Sequence, residues 1–176
     1  NLLSTRCFAI VGTRHSSQYG ENAAKKFAKE LSPYFTIVSG LAMGIDGYAQ
    51  RATLSEGGKT IGVLGSGINC FTPACNESLF EEVCEKGLVI TEYPPDRFAT
   101  KYTFPERNRI ISGLSDGVLV VEAKDKSGAL ITADLANSQN REVYAVPGNI
   151  DRTGASGTNA LISRGEAKLV MSYKDI

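Results

Sequence analysis

The sequence of 176 residues has no tryptophan, a single histidine, His15, and four cysteines, Cys7, Cys70, Cys75 and Cys84, none of them in a C-x-x-C pair. That donor set is too small for a structural zinc site, and buried or incidental thiols are the better reading. Nineteen basic and nineteen acidic side chains cancel. With no global positive field, any site for a polyanion has to be a local cluster. No apolar run approaches the roughly 20 residues that a membrane-spanning helix needs, and nothing reads as a signal peptide. Together these absences predict a cytoplasmic protein with no metal and no membrane partner. The first residue is not Met, so an N-terminal segment is expected to lie outside this sequence.

What is present is a rhythm of short apolar, β-branched runs: Cys7–Val11, Phe35–Val38, Thr60–Leu64, Leu88–Thr91, Gly117–Val121 and Val143–Val146. Each has the character of a strand buried on both faces. Between them lie helical stripes such as Ala24, Phe27, Ala28 and Leu31, or Ile45, Tyr48, Ala49 and Ala52, or Leu79, Phe80 and Val83. Strands alternating with crossover helices predict parallel pairing and helices on both faces. The expected fold is therefore α/β, an extended Rossmann-like, doubly wound and mostly parallel sheet formed by residues 1–176 as one domain. Two polar stretches, Tyr93–Thr103 and Gly148–Asn159, have the length of functional loops.

Ligands of such sheets bind outside the carboxyl ends of the strands, and the glycines fall there. They occur in Gly12-Thr13-Arg14, Ser39-Gly40-Leu41-Ala42-Met43-Gly44-Ile45-Asp46, Gly65-Ser66-Gly67, Ser127-Gly128-Ala129 and Pro147-Gly148-Asn149. One such turn is weak evidence because glycine also serves strained turns and tight contacts. Five at one rim predict phosphate binding. The spacing fits neither G-x-G-x-x-G nor the P-loop, so neither a dinucleotide nor a nucleoside triphosphate cofactor is expected. Arg14, Lys101, Arg107 and Arg109 can face the same rim, with Phe104, Pro105 and Asn108 among them. Guanidinium forks on phosphates and an aromatic face for a base suit a single nucleic-acid strand. Pro105 biases Phe104 toward extended geometry, which would project its ring over the strand ends. The bland alternative has Phe104 plugging the core and Arg107 or Arg109 pairing with Glu92 or Glu122. Asp46 and Glu122 follow strand ends, but no nucleophile–histidine pair or second carboxylate accompanies them, so a helix cap or an ion pair is the expected use of each.

The series Val11-Gly12-Thr13-Arg14, Ser39-Gly40-Leu41-Ala42-x-Gly44-Ile45-Asp46, Gly65-Ser66-Gly67, Glu92-Tyr93-Pro94-Pro95, Phe104-Pro105-x-Arg107-Asn108-Arg109, Ser127-Gly128-x-Leu130-Ile131-Thr132-Ala133 and Val146-Pro147-Gly148 resembles the DprA/Smf family in order and spacing, from about Cys7 to Val170. The resemblance implies a non-catalytic, dimeric protein that binds single-stranded DNA, protects incoming strands during natural transformation and helps load RecA recombinase. It implies a DNA pocket on Arg14, the Gly40–Gly44 loop, Gly65-Ser66-Gly67, Lys101, Phe104, Asn108, Arg109 and Ser127-Gly128. The chain departs from the family in having Gln50 where histidine is usual and Thr72 before Pro73 where tyrosine is usual. Family members often carry further N- and C-terminal domains, so a core fragment is expected here. A second reading is an enzyme on the same scaffold, a nucleoside monophosphate phosphoribohydrolase. Its Pro-Gly-Gly-x-Gly-Thr loop is missing, and Ser127-Gly128-Ala129-Leu130 is the nearest analogue.

Overall fold

The structure, a computed structural model, describes residues Leu2–Ile176. Seven strands, β1 (Cys7–Val11), β2 (Thr36–Ser39), β3 (Thr60–Val63), β4 (Leu88–Ile90), β5 (Gly117–Val120), β6 (Glu142–Ala145) and β7 (Lys168–Leu169), form one sheet in the order β4-β3-β2-β1-β5-β6-β7. All six pairings are parallel, where the sequence suggested a mostly parallel sheet. The helices are α1 (Gln18–Leu31), α2 (Ile45–Ser55), α3 (Glu77–Lys86), α4 (Thr103–Leu114), α5 (Gly128–Ser138) and α6 (Ser156–Ser163).

Alternation along the strands divides the core in two. Phe8 and Ile10 of β1, with Leu119 and Val121 at β5, pack against Ala24, Phe27 and Leu31 of α1 and Ala49 and Ala52 of α2. Ala9 and Val11, with Val118 and Val120, point to the other face against Ile111 of α4, Ala129, Ala133 and Ala136 of α5 and Leu161 of α6. Period-two side chains covered on both sides produce the unbroken apolar runs seen in the sequence. The edge strand β4 is only half-buried, because it has a strand neighbour on one side only. The two-residue strand β7, with both residues exposed, is not among the predicted runs. The loop expected to reach Asn159 ends earlier, since Thr153–Ala155 is a 3-10 turn that leads into α6. Among the described residues no helix is long and apolar enough to cross a membrane.

The topology makes the crevice. The first three crossovers carry the chain outward from β1 to β4; α4 then returns it to β5, on the other side of β1. Loops after β1 and β5 therefore diverge at the switch point, where open α/β sheets hold ligands.

Candidate nucleic-acid interface

A cleft of about 670 Å³ opens at that switch point, bounded by Gly12–His15 after β1, Ala99–Lys101, the first two turns of α4, and Lys124, Lys126, Ser127 and Gly128 after β5. Helical spacing explains α4's share. Phe104, Arg107, Asn108 and Ile111 recur at three- and four-residue intervals and so face one way, whereas Arg109 points off that stripe.

Phe104 is not extended: it is the second residue of α4. Proline is tolerated in a first turn, whose N–H groups lack intrahelical acceptors, and here packing overrides its effect on the preceding residue. The ring is half-buried. One edge rests on Gly65, where a Cβ would stand 2.8 Å from ring atom Cδ1. The guanidinium of Arg14 lies over the ring at 4.7 Å, and that of Arg107 is 6.0 Å from its centroid.

Arg107 is a structural residue. Only 3% of it is exposed, and its Nη1 donates to the carbonyls of Gly40 and Val63 while Nε donates to Asn108 Oδ1 at 3.3 Å. Burial pulls its pKa down to about 10, with the nearby Asp46 carboxylate opposing the drop. It therefore stays charged at neutral pH but reaches the cleft floor rather than a ligand's rim. Burial pushes Asp46 up from its ordinary range, against the pull of Arg107 and of the Gly40 N–H that donates to Oδ2 at 3.1 Å. Arg109 is exposed on the far side of α4 and pairs with Glu92.

The glycine loops do not share one rim. The loop after β3 serves as an anchor: Gly65 backs Phe104, Ser66 is buried with its carbonyl accepting from Thr91 Oγ1 at 2.7 Å, and the Gly67 N–H donates to Arg97 O at 2.8 Å. After β2, Ser39 is buried and donates to Ile10 O at 2.7 Å. The Gly40 amide is already taken by Asp46, and Gly44 opens α2 at φ 72°, a left-handed conformation that side chains resist. Gln50, at the position where histidine is usual, is fully buried and secures this loop by accepting from Leu41 N at 3.1 Å and donating to Thr60 Oγ1 at 3.1 Å. Pro147–Asn149 line a different cavity, of about 550 Å³, with Tyr19 and Glu122. Glu122 is 7% exposed, and its Oε2 accepts the Ser17 N–H at 2.9 Å, just ahead of α1. A carboxylate is thus fixed at the positive end of that helix.

The loop after β5 is open. Ser127 caps α5, its side chain accepting from Ala129 N at 3.4 Å, and a Cβ at Gly128 would meet nothing within 4 Å. Asn108 braces this turn by donating to Gly128 O at 3.2 Å. The exposed start of an 11-residue helix favours an anion. Lys124 and Lys126, absent from the predicted set, flank it and line the cleft. The sequence signal was a Lys-x-Lys run directly before a Ser-Gly helix opening. Of the predicted residues, Arg14, Lys101, Phe104, Arg107, Asn108, Ser127 and Gly128 come together at the cleft, while Ser39, Gly40, Gly44, Gly65, Ser66, Gly67 and Arg109 stand behind or beside it.

Over residues 1–176 the sequence matches the family model for DNA recombination-mediator protein A. The chain belongs to that family. It is 44% identical over 176 residues to DNA processing protein DprA of Streptococcus pneumoniae, covering 100% of this chain and 62% of that protein. It is 47% identical over 170 residues to protein Smf of Escherichia coli K12, covering 96% of this chain and 45% of that protein. The chain thus spans under two-thirds of the length of these curated relatives. The solved S. pneumoniae DprA superposes with a TM-score of 0.93 at 43% identity, over 99% of this chain and 61% of that one. DNA processing protein A of Helicobacter pylori, described for its single-stranded DNA binding mode, superposes with a TM-score of 0.92 at 31% identity, over 99% of this chain and 80% of that one.

Proposed function

We propose that the switch-point cleft binds single-stranded DNA without sequence preference. The observation that carries this reading is a local charge imbalance. The chain is formally neutral, yet Arg14, Lys101, Lys124 and Lys126 all line one cleft, are exposed, and among the described residues form no ion pair. Four cations without an ion pair, lining one cleft, match a row of backbone phosphates.

Phe104 supplies the stacking surface once a strand enters. Arg14 covers the ring through a cation–π contact, worth about 0.5–1 kcal/mol at an exposed site, whereas stacking a base is worth about 1–3 kcal/mol. Arg14 swings to a phosphate and a base takes its place over the ring. The exchange is favourable because the guanidinium keeps a partner throughout.

On this reading the protein is a binding module rather than an enzyme. Asp46 and Glu122, its candidate acid–base groups, are committed to the Gly40 amide and to the start of α1. The family relationship extends the proposal to protection of incoming strands, handover to RecA recombinase, action as a homodimer and a bacterial cytoplasmic setting, in keeping with four free thiols. Residues 1–176 would be its single DNA-binding domain. The test is equilibrium binding of oligo-dT to the wild type and to Arg14→Ala, with AMP hydrolysis to adenine assayed in parallel. Loss of a charge-assisted phosphate contact of about 1.5–3 kcal/mol predicts a roughly ten- to hundredfold weaker complex and no adenine. Unaltered affinity, or adenine release, would refute the reading.

A further inference from the structure

Beside the cleft, the segment Arg97-Phe98-Ala99-Thr100-Lys101-Tyr102 repeats a cation followed by an aromatic residue at an interval of four. Phe98 is 75% exposed and Tyr102 is 66% exposed. Ala99, Thr100 and Lys101, which lie between them, line the cleft, so the two rings stand where the cleft runs out toward the β3–β4 side.

Exposed rings on a loose loop would mean little, but this backbone is fixed. The Gly67 N–H donates to Arg97 O at 2.8 Å, the Asn69 N–H to Pro95 O at 3.0 Å, and Asn69 Nδ2 to Asp96 Oδ1 at 2.8 Å. At the other end the Thr100 N–H donates to Thr103 Oγ1 at 2.9 Å, and the Tyr102 N–H to Thr100 Oγ1 at 3.3 Å. Lys101 Nζ lies 5.0 Å from the Tyr102 ring centroid. The rings are therefore presented by a braced segment with cations beside them, and the entropy of ordering that backbone is largely spent in folding.

We propose that Phe98 and Tyr102 form a stacking platform that carries the strand beyond the cleft, each ring taking a base while Arg97 and Lys101 follow the backbone. This rests on the reading of the cleft as a single-strand site and adds a direction: the strand leaves past Lys101, over the segment tied to the loop after β3. Alternating cations and exposed rings are the features by which a single strand is held without regard to sequence. A protein partner would instead need a continuous apolar area, and here charged residues interrupt the rings.

The experiment is a ladder of oligo-dT lengths titrated against the wild type, Phe98→Ala, Tyr102→Ala, and the corresponding tryptophan variants in a chain that has no other tryptophan. Wild-type affinity rises between the shortest strand that binds and longer ones. Each alanine variant loses about fivefold or more on the longer strands and none on the shortest, and the longer strands quench the fluorescence of Phe98→Trp and Tyr102→Trp. Alanine variants that climb the ladder like the wild type, or indoles that no strand quenches, would overturn the platform while leaving the cleft intact and would assign the rings to a protein partner. Equal losses on the shortest strand would also overturn it, by placing the rings inside the primary site. A wild type that binds no strand at any length would overturn the cleft reading itself.

Discussion

Arg14 and Phe104 act as one unit: the guanidinium lies 4.7 Å above the ring centroid, joining the loop after β1 to the first turn of α4 across the mouth of the cleft. The exposed cation holds the ring's outer face and the half-buried ring holds the fork over the cleft. Their contributions should therefore be coupled. A double-mutant cycle of Arg14→Ala and Phe104→Ala by urea unfolding should give a coupling energy of about 0.5–1 kcal/mol, and the losses of oligo-dT affinity should sum to more than the double mutant shows. Strictly additive values in both measurements would mean that the pair has no functional linkage.

Arg107 should prove structural. Its side chain bonds the Gly40 and Val63 carbonyls and compensates Asp46, so Arg107→Met leaves buried acceptors and a buried carboxylate without their partner. The expected cost is about 3–5 kcal/mol of folding stability. Asp46→Asn added to Arg107→Met should recover part of that loss by removing the stranded charge. A stable Arg107→Met protein with merely weak DNA binding would place Arg107 among the ligand contacts instead.

Lys124 and Lys126 should govern salt dependence. Each is exposed, so alanine at either should leave the melting temperature near wild type. If each neutralises one phosphate, each substitution should reduce the log–log slope of single-strand affinity against salt by about 0.7. Slopes equal to wild type would remove the two lysines from the site.

The fastening of the 93–103 loop to α4 should appear as a late-titrating tyrosine. Burial, and then the hydrogen bond to Glu106, push Tyr93 up to about 12 from an ordinary 10.0. Because the folded protein keeps this proton to higher pH than the unfolded chain, the stabilisation is fully present below the unfolded value and is lost as pH rises through the folded one, between about 10 and 12. The difference in tyrosinate absorbance between wild type and Tyr93→Phe should rise near pH 12. A difference centred at the ordinary value would show that the fastening is absent.

Several strands could be read to within a residue, because burial on both faces leaves unbroken apolar runs such as Cys7–Val11. The cations of the cleft were partly legible. Arg14 follows β1 and Lys101 lies just before α4, whereas Lys124 and Lys126, absent from the predicted set, join the site only because β5 lies beside β1. Glycine was the poorest guide. Gly65 serves a ring, Gly67 faces the Pro94 and Pro95 carbonyls, and only Gly128 has open space at the cleft. A glycine that admits a ligand and one that admits a neighbouring side chain are alike in sequence; what separates them is the long-range packing of α4. That packing also overrode the local bias of Pro105 and brought Phe104 into a helix.

On the proposed reading this cleft takes a single strand through phosphates and a base together. The most direct test of that reading is the affinity of the wild-type protein for oligo-dT and for the matching duplex, each measured across a salt series. Clear preference for the single strand is expected, because a duplex offers phosphates but keeps its bases stacked away from Phe104, together with a single-strand slope of about −0.7 for each phosphate neutralised. Equal affinity for strand and duplex, or an affinity indifferent to salt, would contradict the reading.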